Sequence, residues 1–452
     1  MKTTLQNLFI ALALLAGVHQ AAAQTFTNLH NFARISDGAN PYAGLILSGN
    51  TLYGTASSGG PLGNGTVFAV NTDGTVFTNL HNFAFGDGIN PDAGLILSGN
   101  ILYGAAYNGG TYGNGAVFSI NTDGTGFTNP HNFTGGSDGA TPIGGLILSG
   151  NTLYGTVYEG GSGYGVVFSV TTTGTGFAKL HTFAGGSDGS SPAAALILSG
   201  NTLYGTASQG GTYGSGMVFA VNTDSTGFTN LYSFKALSNS TNRDGASPTA
   251  GLILSGNTLY GTTTAGGSAG YGTVFAVSTN GTGFTNLYNF TGGSDGASPK
   301  AGLILSGNTL YGTAKSGGSA GYGTVFAVST NGTDFKSLHA FTASSNSTNS
   351  DGATPNAGLI LSGNTLYGTT TFGGSGGYGT IFALTLNNSV ATPVPLQIQS
   401  AGNSVVLSWT NATFALQSAP VVTGIYTNIP GATTPYTNPV SGAQRFFRLS
   451  KP

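Results

Sequence analysis

The sequence predicts an all-β protein: a seven-bladed β-propeller of four-stranded blades, closed by its own N-terminal strand and followed by a small β-sandwich. Three observations carry this. The tripeptide Leu-Tyr-Gly recurs seven times, its tyrosines at Tyr53, Tyr103, Tyr154, Tyr204, Tyr260, Tyr311 and Tyr367, spaced by 50 to 56 residues. A repeat of that length with several short strands suits a propeller blade. Glycines punctuate each unit, and nothing after residue 23 has a helical period. Finally, one strand motif occurs seven times but is displaced to the front of the chain.

The elements follow in order. Residues 1–23 read as a cleavable secretory signal: Lys2, an apolar run from Leu8 to Val18, then Ala21-Ala22-Ala23. That run is too short to span a bilayer, and no later one is long enough. Residues 24–388 hold the repeats. In the first unit strand a is AGLILS and strand b is TLYGTAS, joined by Gly49-Asn50, a two-residue hairpin signal. Strand c is TVFAV, and strand d, FTNLHNF, follows the turn Asn71 to Gly74. Leu-Ile-Leu and Val-Phe-Ala-Val are apolar on both faces, as a strand between neighbouring sheets must be.

The first copy of strand d, Phe26 to Phe32, precedes the first strand a, and the seventh unit ends at Phe382-Ala383-Leu384 without one. The economical solution is a ring in which residues 26–32 complete the last blade, because closure hides sheet edges. Pro393 and Pro395 mark a linker over 389–395. Residues 396–452 carry six short strand patterns, with Trp409, the only tryptophan, expected in a core.

Composition excludes several function classes. Charged residues make up 5% of the chain, and the formal net charge is −2. There is no basic footprint for nucleic acid. Without a single Cys, disulfides and thiol chemistry are ruled out. Aromatics at 11% and hydrophobics at 39% can build a core, so the glycine content does not signal disorder.

Comparing the seven copies separates scaffold from candidate function. Three Phe columns, typified by Phe68, Phe77 and Phe83, read as packing. His30, His81, His131, His181 and His339 share a column with Tyr232 and Tyr288, which argues for a planar ring at a half-buried strand position rather than catalysis. A second tyrosine column follows the Gly-Gly pair: Tyr112, Tyr164, Tyr213, Tyr271, Tyr322 and Tyr378, with Leu62 in the first copy. Asp37, Asp87, Asp138, Asp188, Asp244, Asp295 and Asp351 recur as Asp-Gly, expected to be turns in which Asp accepts its own backbone N–H. The alternative for this column is a cation, calcium first, although one carboxylate per blade falls short of the 6–8 oxygens calcium takes. No cofactor or metal is assigned.

Strand parity puts the d→a and b→c loops on one face. The positions that change type between copies lie there, just after strand b, and supply the candidate ligand contacts: Tyr107, Asn108, Tyr158, Glu159, Gln209, Lys315 and Phe372. Glu159 is the only Glu in the chain. Paired with Asp138 or Asp188, it supplies the one enzyme reading, since glycosidases use two carboxyls about 5–9.5 Å apart. No GxSxG or HExxH is present.

The unit GLILSGNTLYGT…GG…YG-TVFAV…DGT-FT resembles the Gloeo–Verruco ("GloVer") tandem repeat of secreted choice-of-anchor proteins. The resemblance covers residues 25–386 and implies export, a propeller-like array and a variable C-terminal attachment segment; it brings no catalytic residues. Val-Leu-Ser-Trp with a closing Phe-Phe-Arg-Leu resembles a short fibronectin type III-like sandwich. No LPxTG or terminal apolar helix is present. The sequence thus points to a secreted, extracellular or cell-surface binding protein that is not an enzyme, with an extracellular glycan or protein as partner and no membrane span in the mature chain. The alternatives are a glycoside hydrolase or lyase using Glu159, and a structural envelope or matrix component.

Overall fold

The computed structural model describes residues 24–342, 347–386, 396–401, 404–409, 415–420, 426–439 and 445–450. The expected signal segment and the linker at 389–395 lie outside them. Residues 25–386 form one compact unit.

That unit is seven four-stranded antiparallel sheets. In the first blade, strand a is Ile46–Ser48, b is Thr51–Ala56, c is Thr66–Asn71 and d is Thr78–Asn82, hydrogen-bonded in that order. Strand a is shorter than its motif, because the residues before Ile46 leave the sheet to meet the neighbouring blades. The a→b hairpin turns at Gly49, whose φ of 57° a side chain disfavours. Two short 3-10 turns, Phe85–Asp87 and Gly186–Asp188, interrupt d→a loops.

The ring closes as the displaced strand requires. Thr25–Asn31 pairs antiparallel with Thr380–Thr385, placing Phe26 opposite Leu384 and Asn28 opposite Phe382. The seventh sheet therefore holds both ends of the repeat region, and no blade is left with an unpaired strand c.

Seven apolar clusters lie at the seven junctions, each drawing on two consecutive blades. The closing junction is built like the rest: Phe32, Tyr367 and Ile381 of the last blade pack with Leu45, Leu52 and Phe68 of the first. Twelve of the Phe68- and Phe83-type phenylalanines head the fully buried side chains. At about 1.5–3 kcal/mol per buried Phe, these columns dominate the packing energy.

Polar latches cross the same junctions. Buried Thr55 Oγ1 donates to the Ala93 carbonyl of the next blade at 3.4 Å, and Thr156, Thr206, Thr262 and Thr313 repeat the bond. Thr369 donates to Ala43 at 3.2 Å, closing the circle across 326 residues of sequence. The second blade has Ala105 at this position and lacks the latch.

The axis is narrow. A Cβ placed on Gly44 would stand 3.1 Å from the Gly358 carbonyl oxygen, one on Gly302 3.2 Å from that of Gly251, and one on Gly251 3.1 Å from that of Ala195. These glycines open the inner strands, so small residues there let the strand entrances converge.

The C-terminal residues form two three-stranded sheets, one of Gln397–Ala401, Ser404–Ser408 and Tyr436–Pro439, the other of Thr427–Asn428, Ala415–Ala419 and Phe446–Ser450. Leu407, Trp409 and Leu416 are buried between them. Trp409 is core, as its alternating strand suggested.

Candidate binding face

The seven Asp-Gly aspartates serve the scaffold, by a pairing the sequence comparison missed. Each faces the variable ring column, and all but Asp138 accept a hydrogen bond from it. His30 Nε2 lies 2.8 Å from Asp37 Oδ2, His81 3.1 Å from Asp87, His131 3.3 Å from Asp138, His181 3.1 Å from Asp188 and His339 2.9 Å from Asp351. Where the ring is Tyr, Tyr232 Oη donates to Asp244 at 2.5 Å and Tyr288 Oη to Asp295 at 3.0 Å. His and Tyr interchange because both put a polar hydrogen at the ring's far end. The turn motif leads to the expectation that each Asp accepts its own backbone N–H; instead the carboxylates reach back to an earlier amide, as Ala33 N–H donates to Asp37 and Ala184 N–H to Asp188.

Each ring also stacks on the next blade. His30 lies 3.9 Å from Phe77, His181 3.5 Å from Phe228 and Tyr232 3.9 Å from Phe284. His339 stacks on Phe26 at 4.1 Å, so this belt also passes through the closing strand. Burial pushes His81, His131 and His181 below the ordinary histidine range, against the pull of their aspartates. Burial raises Asp37, but the bonds from His30 and the Ala33 amide bring its carboxyl below the usual range. Among the described residues no group of three or more His, Asp or Glu could hold a metal ion.

The candidate contacts stand on a rigid frame. The first variable position after strand b donates its N–H in every blade to one loop residue: Tyr107 to Asn90, Tyr158 to Thr141, Lys315 to Ser298 and Thr371 to Thr354 are examples. That acceptor donates in turn to the preceding blade, as Asn40 does to Tyr378. All seven acceptors precede a proline and hold φ between 52° and 59°, a left-handed conformation disfavoured for these side chains. The second variable position pairs through both backbone groups with the d→a loop, giving bridges Ile89–Asn108, Ala140–Glu159, Ser190–Gln209 and Ala353–Phe372. Backbone groups do the holding, so side chains are free to differ.

The structure brings some of the candidates together. Tyr107, Tyr158 and Glu159 are close enough to interact electrostatically, together with Asp92; burial and then these charges raise the Tyr107 phenol. Asn108 Nδ2 donates to Asn90 at 3.4 Å. Glu159, Gln209, Lys315 and Phe372 are exposed. Asp138 and Asp188, the expected partners of Glu159, are occupied by their histidines and by backbone amides.

Sequence comparison missed a third variable column: Tyr42, Asp92, Ile143, Ala193, Thr249, Lys300 and Asn356, each following the loop proline and two residues before the axial position. Its signal was present, since the same type-changing criterion selects it. The supposed second tyrosine column proves to be two. Tyr164, Tyr271, Tyr322 and Tyr378 share the backbone role of Asn64, Asn114 and Ser215, accepting from the next blade's left-handed residue; Tyr112 and Tyr213 align with Leu62 at the loop tip. The Tyr falls two positions later in the last three Gly-rich loops, and the loop of the third blade is one residue shorter, which hid this.

These features define a class: a closed seven-bladed propeller carrying a variable loop face on an invariant frame. The model of the Gloeobacter/Verrucomicrobia repeat matches residues 18–164, 131–243 and 234–408, and the chain belongs to that family. A search of curated proteins finds no match. Among solved structures, an oligogalacturonate lyase from Vibrio parahaemolyticus is 11% identical with a TM-score of 0.50, covering 81% of this chain and 98% of that one. A 6-phosphogluconolactonase candidate from Bacteroides uniformis is 17% identical with a TM-score of 0.47, covering 89% and 99%. TolB from Acinetobacter baumannii is 13% identical with a TM-score of 0.39; the match spans 59% of this chain and 58% of TolB. At such identities the likeness is one of fold.

Proposed function

We propose that the protein is a secreted, non-enzymatic binding module that uses the d→a/b→c face to hold an extracellular ligand, a glycan in the first place. One observation carries this reading. Of eleven exposed large apolar side chains among the described residues, nine lie on this face: Ile35, Leu62, Phe85, Tyr112, Tyr164, Tyr213, Leu237, Tyr271 and Phe372. Concentrated exposed apolar surface marks an interaction site, and aromatic faces suit the apolar faces of sugars. The opposite face has only Val76 and Ile101.

Glycan-array binding by the wild type, lost in Tyr112→Ala/Tyr213→Ala/Phe372→Ala while the melting temperature holds, supports the reading. No binding to any glycan would refute the carbohydrate assignment. Polysaccharide turnover that vanishes in Glu159→Gln would replace it with the enzymatic alternative.

A further inference from the structure

The axial mouth of this face, lined by the third variable column, differs in chemistry from the aromatic rim around it. Its two sides are unlike. Lys300 and Lys315 both belong to the sixth blade, one entering strand a and the other leaving strand b. Among the described residues neither ammonium lies within ion-pairing distance of a carboxylate; every ion pair there joins a His to an Asp. Two blades further round the circle stands Tyr42, three blades further stand Asp92 and Tyr107, with Tyr158 beyond.

Unused hydrogen-bonding capacity collects in the same column. Asn356 is 9% exposed; its Nδ2 donates to Thr371 Oγ1 at 2.7 Å, but its Oδ1 has no partner. Thr249 Oγ1 and Asp92 Oδ1 are also buried without one. These three atoms stand at equivalent positions of three blades; strand d carries a second such set, the Oδ1 atoms of Asn28, Asn79, Asn129 and Asn286, in the outer part of the blades. A polyhydroxylated ligand supplies hydroxyls that can meet all three.

We propose that this mouth binds an acidic saccharide, its carboxylate against Lys300 and Lys315 and its hydroxyls and ring faces against Asp92, Asn356 and the tyrosines of the first three blades. Asp92 and Glu159 on the far side repel a carboxylate and so fix which end of the ligand meets the lysines. Burial and the adjacent Lys315 charge lower Lys300, while Asp92 across the mouth acts to raise it; an anion seated between the two lysines relieves their mutual repulsion. This inference rests on the carbohydrate reading above and narrows it.

The test is calorimetric titration of the full chain with an oligoglucuronate and with the same oligomer after carboxyl reduction to the neutral sugar. We expect the acidic oligomer to bind about tenfold more tightly, the scale of one charge-assisted hydrogen bond, and the preference to shrink as salt is raised. Lys300→Ala/Lys315→Ala should abolish the preference with the melting temperature unchanged, and Lys300→Arg/Lys315→Arg should retain it. Equal affinity for both oligomers overturns the acidic inference and leaves the carbohydrate reading standing. A preference that survives removal of both lysines also overturns it. Binding of neither oligomer, in a protein that does bind other glycans, refutes the inference alone; binding of no sugar at all refutes both.

Discussion

Replacing Phe32 by Ala probes the seam where the two ends of the repeat region meet. Phe32 is fully buried and meets Phe68 of the first blade edge-on at 5.4 Å, with Phe77 at 5.9 Å. Its amide donates to the Gly379 carbonyl at 3.1 Å. Truncating a buried Phe costs about 3–5 kcal/mol, against a total domain stability of about 5–15 kcal/mol. Phe133 occupies the same position inside the ring and meets Phe168 at 5.3 Å. A ring without a weak seam predicts equal losses for Phe32→Ala and Phe133→Ala. Removing residues 24–36 goes further, deleting Phe26, Leu29 and Phe32 together. At about 1.5–3 kcal/mol for each fully buried side chain, the lower end applying to half-buried Phe26 and Leu29, that loss is comparable to the whole stability. We expect the shortened chain to unfold or aggregate. Differential scanning calorimetry reads both effects. If Phe32→Ala melts with the wild type while Phe133→Ala falls by several degrees, the terminal strand does not close the ring.

Three further outcomes are expected. Ala105→Thr supplies the missing seventh latch toward the Gly144 carbonyl and should raise stability by about 0.5–1.5 kcal/mol, read as a higher denaturation midpoint; a loss would mean that the second junction is shaped differently. Because burial holds His81, His131 and His181 below the ordinary value, the unfolded chain binds protons more readily. Their contribution is therefore complete above the ordinary histidine pKa of about 6.5 and is lost as pH falls below it; the triple change to Tyr, the residue two other blades already use, should flatten the decline in melting temperature between neutral and mildly acidic pH. Gly302→Val pushes a branched side chain toward the Gly251 carbonyl, 3.2 Å from where its Cβ would stand, and should cost about 1–3 kcal/mol; Gly49→Ala, with nothing within 4 Å, should cost less and only through its backbone.

The architecture was legible because its causes are local and repeated. Strand boundaries follow from glycine punctuation and two-sided apolar runs, and the displaced copy of strand d announced the closure. What escaped were relations between distant positions. The Asp-Gly aspartates and the His/Tyr column could each be seen, but their pairing depends on how the d→a loop folds back over strand d. The merged tyrosine column shows the same limit: Tyr164 and Tyr112 follow similar glycines, yet only the backbone bonds reveal that they do different work. On the candidate face, the positions after strand b were legible from their variability. The column of Asp92 and Lys300 was passed over because it adjoins strand a, whose motif reads as core, and only convergence at the axis makes those residues neighbours.

Closure itself can be measured by a cross-link, since the chain has no cysteine to interfere. Thr25 and Thr385 are direct partners in the antiparallel ladder, where opposed Cα atoms lie about 4.5–5.5 Å apart, within disulfide range. Thr25→Cys/Thr385→Cys should oxidise to an intramolecular disulfide in dilute protein and raise the melting temperature reversibly with reductant. Free thiols after oxidation, or only intermolecular dimers, would contradict a ring closed by its own first strand.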